Sequence, residues 1–195
     1  MRPFFFVLFL AGSLPAVDGI LIWNTDFVTS SVTNIIYAIM ERHFLEISYT
    51  EYTSKDEMPE RDAALLSRAE EAVTGSYAPY SDFHVGAAVL MSSGEVFCGA
   101  NQENAAFPSG LCAERTALYY AAANRPEIPI EAIAVTAEYR GSVPEGTVTP
   151  CGACRQAMAQ YETRFSHPIK VILGGTRIRV FDSVSDLLPF VFDNI

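Results

Sequence analysis

No run of lysine or arginine occurs anywhere in the 195 residues. Acidic side chains outnumber basic ones 23 to 13, giving a formal charge of −10. Affinity for a nucleic-acid polymer rests mainly on neutralising phosphates, so this field repels one and suits a small uncharged ligand. Long apolar stretches are missing too. The N-terminal run at 4–11 is too short to span a bilayer. There is no internal repeat, no low-complexity tract and no sign of a second domain. Half of the residues are nonetheless hydrophobic, which is enough for one sizeable buried core.

Cysteine is scarce, and three of the four cysteines fall in two short segments, Cys112-Ala113-Glu114-Arg115 and Pro150-Cys151-Gly152-Ala153-Cys154. The spacing of Cys151 and Cys154 lets both sulfurs face one ion from a single helical turn. Cys112 brings a third sulfur from a distant segment. A structural zinc wants four protein ligands, whereas a catalytic zinc keeps one position for water. The remaining thiol, Cys98, sits in a strand pattern and reads as a small buried residue. Glu114, two residues after a ligand, is placed to take a proton from water and return it to a leaving group. A thiolate zinc site needs reduced sulfur, which makes a reducing cytosol the natural compartment. A Cys-x-x-Cys by itself would equally suit a redox pair or half of a structural zinc module.

The first 39 residues differ from the rest. Arg2, the apolar run at 4–11 and Leu14-Pro15-Ala16 resemble a secretory signal, although Leu14 fits the cleavage pattern poorly. Export would expose the thiols to oxidation, so an internal start at Met40 is the favoured expectation. Residues 40–59 read as an N-terminal arm, with a short strand possible within 44–52. The segment 60–195 reads as the catalytic domain. Within it, 60–74 has the spacing of an amphipathic helix, with Ala64, Leu65, Ala69, Ala72 and Val73 inward and Glu70 and Glu71 outward. Residues 83–90 and 95–100 flank a Ser-Ser-Gly turn and predict a hairpin. Segments 112–124 and 151–161 predict helices opening on the cysteines, where the helix dipole favours a thiolate. Strands are expected at 130–137, 169–173 and 176–181, and a last short helix at 184–188. This order predicts an α/β fold with three layers, α/β/α, around a five-stranded mixed sheet, and one zinc held at its edge.

Four blocks of sequence resemble the cytidine deaminase family, in its small homotetrameric zinc-dependent form. They are Tyr-Ala-Pro-Tyr-Ser-Asp-Phe-His-Val-Gly-Ala-Ala at 77–88, Asn-Gln-Glu-Asn-Ala at 101–105, Cys-Ala-Glu-Arg-Thr-Ala-Leu at 112–118 and Pro-Cys-Gly-Ala-Cys-Arg-Gln at 150–156. The resemblance implies a cytoplasmic hydrolase of pyrimidine salvage with one zinc per subunit. It would deaminate cytidine and deoxycytidine by attack of zinc-bound hydroxide at C4, with Glu114 as proton shuttle. Cys112, Cys151 and Cys154 match the metal ligands. Asn101 and Glu103 match the pair that binds the ribose 3′-hydroxyl, and Phe83 matches a ring packed on the pyrimidine. Tyr80 is a further candidate for lining the pocket. The main chain of Ala113 is expected to hold the base carbonyl. Arg115 matches an arginine that donates to the cysteine sulfurs and offsets the charge of three thiolates. Phe192 matches a C-terminal aromatic that enters a neighbouring subunit's site. The chain departs from the pattern in its short tail after Phe192 and in the phenylalanine at 190. Two other readings stay open: a zinc deaminase of another substrate, such as deoxycytidylate or a nucleoside antibiotic, and a non-catalytic zinc-stabilised binding module.

Overall fold

A computed structural model describes residues 42–193. The expectations for the N-terminal 39 residues and for a start at Met40 lie outside the described residues. The chain divides into the units Met1–Glu46 and Ile47–Ile195. Residues 42–46 of the first carry no helix or strand, and the fold below is that of the second. Among the described residues no helix is long and apolar enough to cross a membrane.

Nine helices and strands build that unit. Strand β1 is Thr50–Tyr52, helix α1 Glu60–Ala72, strand β2 Phe83–Met91 and strand β3 Val96–Ala100. Helix α2 is Ala113–Asn124, strand β4 Ile130–Tyr139, helix α3 Gly152–Phe165, strand β5 Lys170–Leu173 and strand β6 Ile178–Phe181. The sheet has six strands in the order β1-β6-β5-β4-β2-β3, one more than the sequence predicts. The extra strand is β1, which pairs antiparallel with β6 through Thr50 opposite Val180. It is three residues long and has only one neighbour, so its own sequence gives it little pattern. The sheet is mixed. Strands β4 and β5 run parallel, which requires a crossover, and α3 lies within it. The short helix expected at 184–188 is a single 3₁₀ turn, Val184–Asp186.

Side chains of the central strands alternate between two apolar layers. Ala87, Val89, Ile133, Val135, Val171 and Leu173 pack on one face with Leu118 of α2 and Met158 of α3. Ala88, Leu90, Ala132, Ala134 and Ile172 pack on the other with Leu65, Leu66 and Ala69 of α1. Strands covered on both faces read as unbroken apolar runs, which is how β4 looks in the sequence. The buried stripe of α1 is Asp62, Leu65, Leu66 and Ala69. Ala64, expected inward, is exposed. The place is held by Asp62, whose carboxylate accepts from Lys170 Nζ of β5 at 3.1 and 3.0 Å. An ion pair between this helix and strand β5 is what lets a carboxylate sit on the apolar side.

One close approach governs the site. A Cβ at Gly99 of β3 would lie 2.5 Å from Ala117 N and 3.0 Å from Ala113 O. Only glycine allows the first turns of α2 to press this closely on the strand, and those turns carry Cys112 and Glu114.

Candidate active site

Two helix N-termini deliver the sulfurs. Cys112 is the N-cap of α2 and Cys151 the N-cap of α3, both in extended backbone, and neither side chain caps its own helix. Their sulfurs are therefore free to turn outward at the positive ends of two helix dipoles. Cys154 lies in the first turn of α3 and is fully buried. The three Sγ atoms lie within 4.8 Å of one another, and those of Cys151 and Cys154 are 3.5 Å apart. Tetrahedral zinc with Zn–S bonds near 2.3 Å needs sulfurs about 3.8 Å apart, so the set fits. No other His, Cys, Asp or Glu among the described residues joins this group. Cys98 packs in the α1-side core, across the sheet from the sulfurs, as a strand residue with its own contacts.

The charge balance of the cluster follows from its contacts. Cys112 is drawn down to about 5, first by the thiol of Cys154 and then by Arg115. Cys154 is pushed well above the ordinary thiol range by sharing that proton, by burial and by Glu114. Arg115 Nη2 donates to Cys112 Sγ at 3.5 Å, and the thiolate strengthens the guanidinium's hold on its own proton. Arg115 Nε is buried with no protein partner. A metal held here would expel the remaining thiol protons, and Arg115 would then offset part of the sulfur charge.

Among the described residues, Glu114 is the only buried carboxylate on this side of the sheet. Burial raises its pKa above the ordinary carboxylate value, and the Cys112 thiolate adds to the rise. A carboxyl group whose pKa is raised in this way gives up and takes back a proton more readily near neutral pH than an exposed one does. Glu114, Cys112, Cys151 and Arg115 line one cavity of about 540 Å³ together with Phe83, Asn101 and Glu103. Its floor is formed by Val85 of β2 and Val135 of β4, so it lies over the central strands rather than at the sheet's edge.

The remaining expected residues divide. Glu103 Oε2 accepts from the Tyr80 and Ser81 backbone N–H groups at 2.8 and 3.3 Å. Its pKa is lowered first by the Ser81 side chain and then by the Tyr80 N–H, so an acceptor faces the cavity. Asn101 is more tightly engaged than expected: Oδ1 accepts from Val85 N at 2.8 Å and from Ser76 Oγ, and Nδ2 donates to Phe83 O at 2.8 Å. Ala113 is fully buried and does not line the cavity. Phe192 is 68% exposed and outside the cavity of its own chain. Its backbone N–H and C=O pair with the Gln156 side chain at 3.1 and 2.8 Å.

Two features had no clear signal in the sequence. Phe107 stands edge-on to Tyr80, ring centres 6.0 Å apart, and both line the cavity mouth. Arg155 donates to Pro150 O and Leu187 O, each at 2.9 Å, and so ties the turn before Cys151 to the C-terminal segment. Arg155 directly follows the Pro-Cys-Gly-Ala-Cys segment, the one sign it gives in the sequence, and Phe107 gives none.

Comparison with known proteins agrees with this arrangement. Residues 59–166 match the cytidine and deoxycytidylate deaminase zinc-binding region. The chain is 44% identical over 131 residues to the cytidine deaminase of Halalkalibacterium halodurans, covering 66% of this chain and 91% of that protein. Its fold resembles the cytidine deaminase of Burkholderia pseudomallei with a TM-score of 0.57 at 41% identity, covering 69% of this chain and 100% of that one. The Mycobacterium tuberculosis cytidine deaminase gives 0.54 at 31% identity, covering 67% and 96%. With its three sulfurs and buried carboxylate in the matched region, the chain belongs to the cytidine and deoxycytidylate deaminase family.

Proposed function

We propose that this protein hydrolyses cytidine and deoxycytidine to uridine and deoxyuridine with release of ammonia, using one zinc per subunit. The observation that carries this reading is a buried carboxyl group, Glu114, beside three clustered sulfurs on the wall of a cavity large enough for a nucleoside. Zinc held by Cys112, Cys151 and Cys154 would supply a Lewis acid that makes a water more acidic. Glu114 would take a proton from the attacking water and pass it to ring N3 as the water oxygen bonds to C4. The same carboxylate would then carry the remaining hydroxyl proton to the amino group on C4, whose C–N bond breaks to release ammonia. Moving both protons through one buried group avoids a separate acid and base.

The other residues orient and select. Phe83 packs on the pyrimidine, and Asn101 and Glu103 bind the sugar hydroxyl. Among the described residues, Arg115 is the only cationic side chain lining the cavity, and it is engaged with Cys112. That leaves no free cation among them to receive a 5′-phosphate, and Glu103 would repel one. That favours a nucleoside over deoxycytidylate. The exposed Phe190 and Phe192 support a homotetramer in which Phe192 closes a neighbouring cavity. Three thiols at one metal site call for a reducing, cytoplasmic setting. The test is ammonia release from cytidine, deoxycytidine, cytosine and cytidylate, run beside a zinc assay. Turnover of the two nucleosides alone is the expected result. A zinc-loaded protein that releases ammonia from none of the four overturns the reading.

A further inference from the structure

The amide of Asn101 is set by groups on both faces of the sheet. At the end of β3 its side chain continues the ladder beside β2: the backbone N–H donates to Val85 O at 3.1 Å, while Oδ1 and Nδ2 meet Val85 N and Phe83 O. These two main-chain partners fix which end is oxygen, since one can only donate and the other only accept. Ser76 Oγ lies against the same Oδ1. A carbonyl oxygen cannot donate, so the single hydroxyl proton of Ser76 points at Asn101. Ser76 Oγ must then accept from His84 Nδ1, 3.0 Å away. The opposite ring nitrogen of His84 lies 3.3 Å from Asp82 Oδ1, to which it donates only when the ring carries both protons.

His84 is not in the cavity. It stands between Phe83 and Val85, whose side chains line it, and strand alternation turns His84 to the opposite face. Gly86, next on that face, meets the end of α1. The chain of contacts Asp82, His84, Ser76, Asn101 therefore runs from the α1 side of the sheet to the cavity. One N–H of Asn101 Nδ2 is spent on Phe83 O, which leaves the second for a ligand in the cavity that Asn101 and Glu103 both line. A hydroxyl, which accepts and donates at once, matches that pair.

We infer that Ser76 and His84 are positioning residues that hold the Asn101 amide in register and so set the enzyme's preference for a nucleoside bearing a 3′-hydroxyl. The inference rests on the reading of Asn101 as a sugar contact. Neither residue touches substrate. The readout is the ratio of kcat/KM for cytidine to that for 3′-deoxycytidine, measured on the zinc-loaded enzyme with melting temperature recorded beside it. Losing one neutral hydrogen bond corresponds to about a fivefold change. Ser76→Ala and His84→Leu should each lower the ratio by about that factor, through KM for cytidine more than through kcat. Ser76→Thr, which keeps the hydroxyl, should restore it. If Asn101→Ala collapses the ratio while Ser76→Ala leaves it as in the wild type, the inference fails and the sugar contact stands. If none of the variants moves the ratio, both fail. Equal losses on the two substrates, with a lower melting temperature, would show general loosening and would also overturn it.

Discussion

Replacing Gly99 by alanine should damage both the fold and the metal site through one contact. The new methyl carbon would stand 2.5 Å from Ala117 N and 3.0 Å from Ala113 O. Both are backbone atoms of α2 and cannot swing aside as a side chain tip would. Ordinary contact distances require the helix to retreat by roughly 1 Å. Overpacking of this kind costs about 1–3 kcal/mol. For a domain of this size, about 2 kcal/mol lowers the melting temperature by roughly 4–8 °C. The same retreat carries Cys112 away from Cys151 and Cys154, and metal bonds tolerate only about 0.2 Å of error. Zinc affinity, measured by competition with a chromophoric chelator, should therefore fall together with the melting temperature. Gly94→Ala is the control. Its Cβ would meet nothing within 4 Å, its cost of about 1 kcal/mol comes from a φ of +88°, and the turn lies at the far end of β2 from the cavity. A Gly99→Ala protein that melts and binds zinc as the wild type does would refute the close-approach argument.

Three further substitutions test separate parts of the structure. Cys151→Ala removes one of three sulfurs and should abolish both zinc retention after gel filtration and deamination; a variant that keeps one zinc per chain would show that Cys151 is not a ligand. Arg115→Ala should keep its zinc but lose turnover by about tenfold, the weight of a charge-assisted hydrogen bond; full activity with zinc retained would contradict the role given to the guanidinium. Leu118→Ala empties a fully buried position between α2 and the sheet and should cost about 2–5 kcal/mol in urea unfolding; a loss below about 1 kcal/mol would mean that the helix packs less tightly than described.

How much of this was legible in the sequence depended on the distance between partners. The metal set was readable because Cys151 and Cys154 share a helical turn and Glu114 follows Cys112 at a fixed offset. Strand β2 was readable from its hairpin with β3 around the Ser-Ser-Gly turn, and β4 because both of its faces are apolar. β1 was hard to read because its place comes from β6, a partner remote in sequence. The inward turn of Asp62 was invisible for the same reason: Lys170, which makes it tolerable, belongs to a distant strand. Asn101 shows a subtler limit. Its loop marked it as a ligand contact, yet three of its hydrogen-bonding positions hold the frame, and only the pairing of β3 with β2 reveals this.

Glu114 is proposed to move protons beside a metal that it does not bind. The direct measurement is Glu114→Gln, assayed for zinc per chain and for ammonia release from cytidine on the same sample. One zinc per chain with turnover reduced by at least about a hundredfold is the predicted result. Turnover within a few-fold of the wild type, at full zinc occupancy, would contradict it.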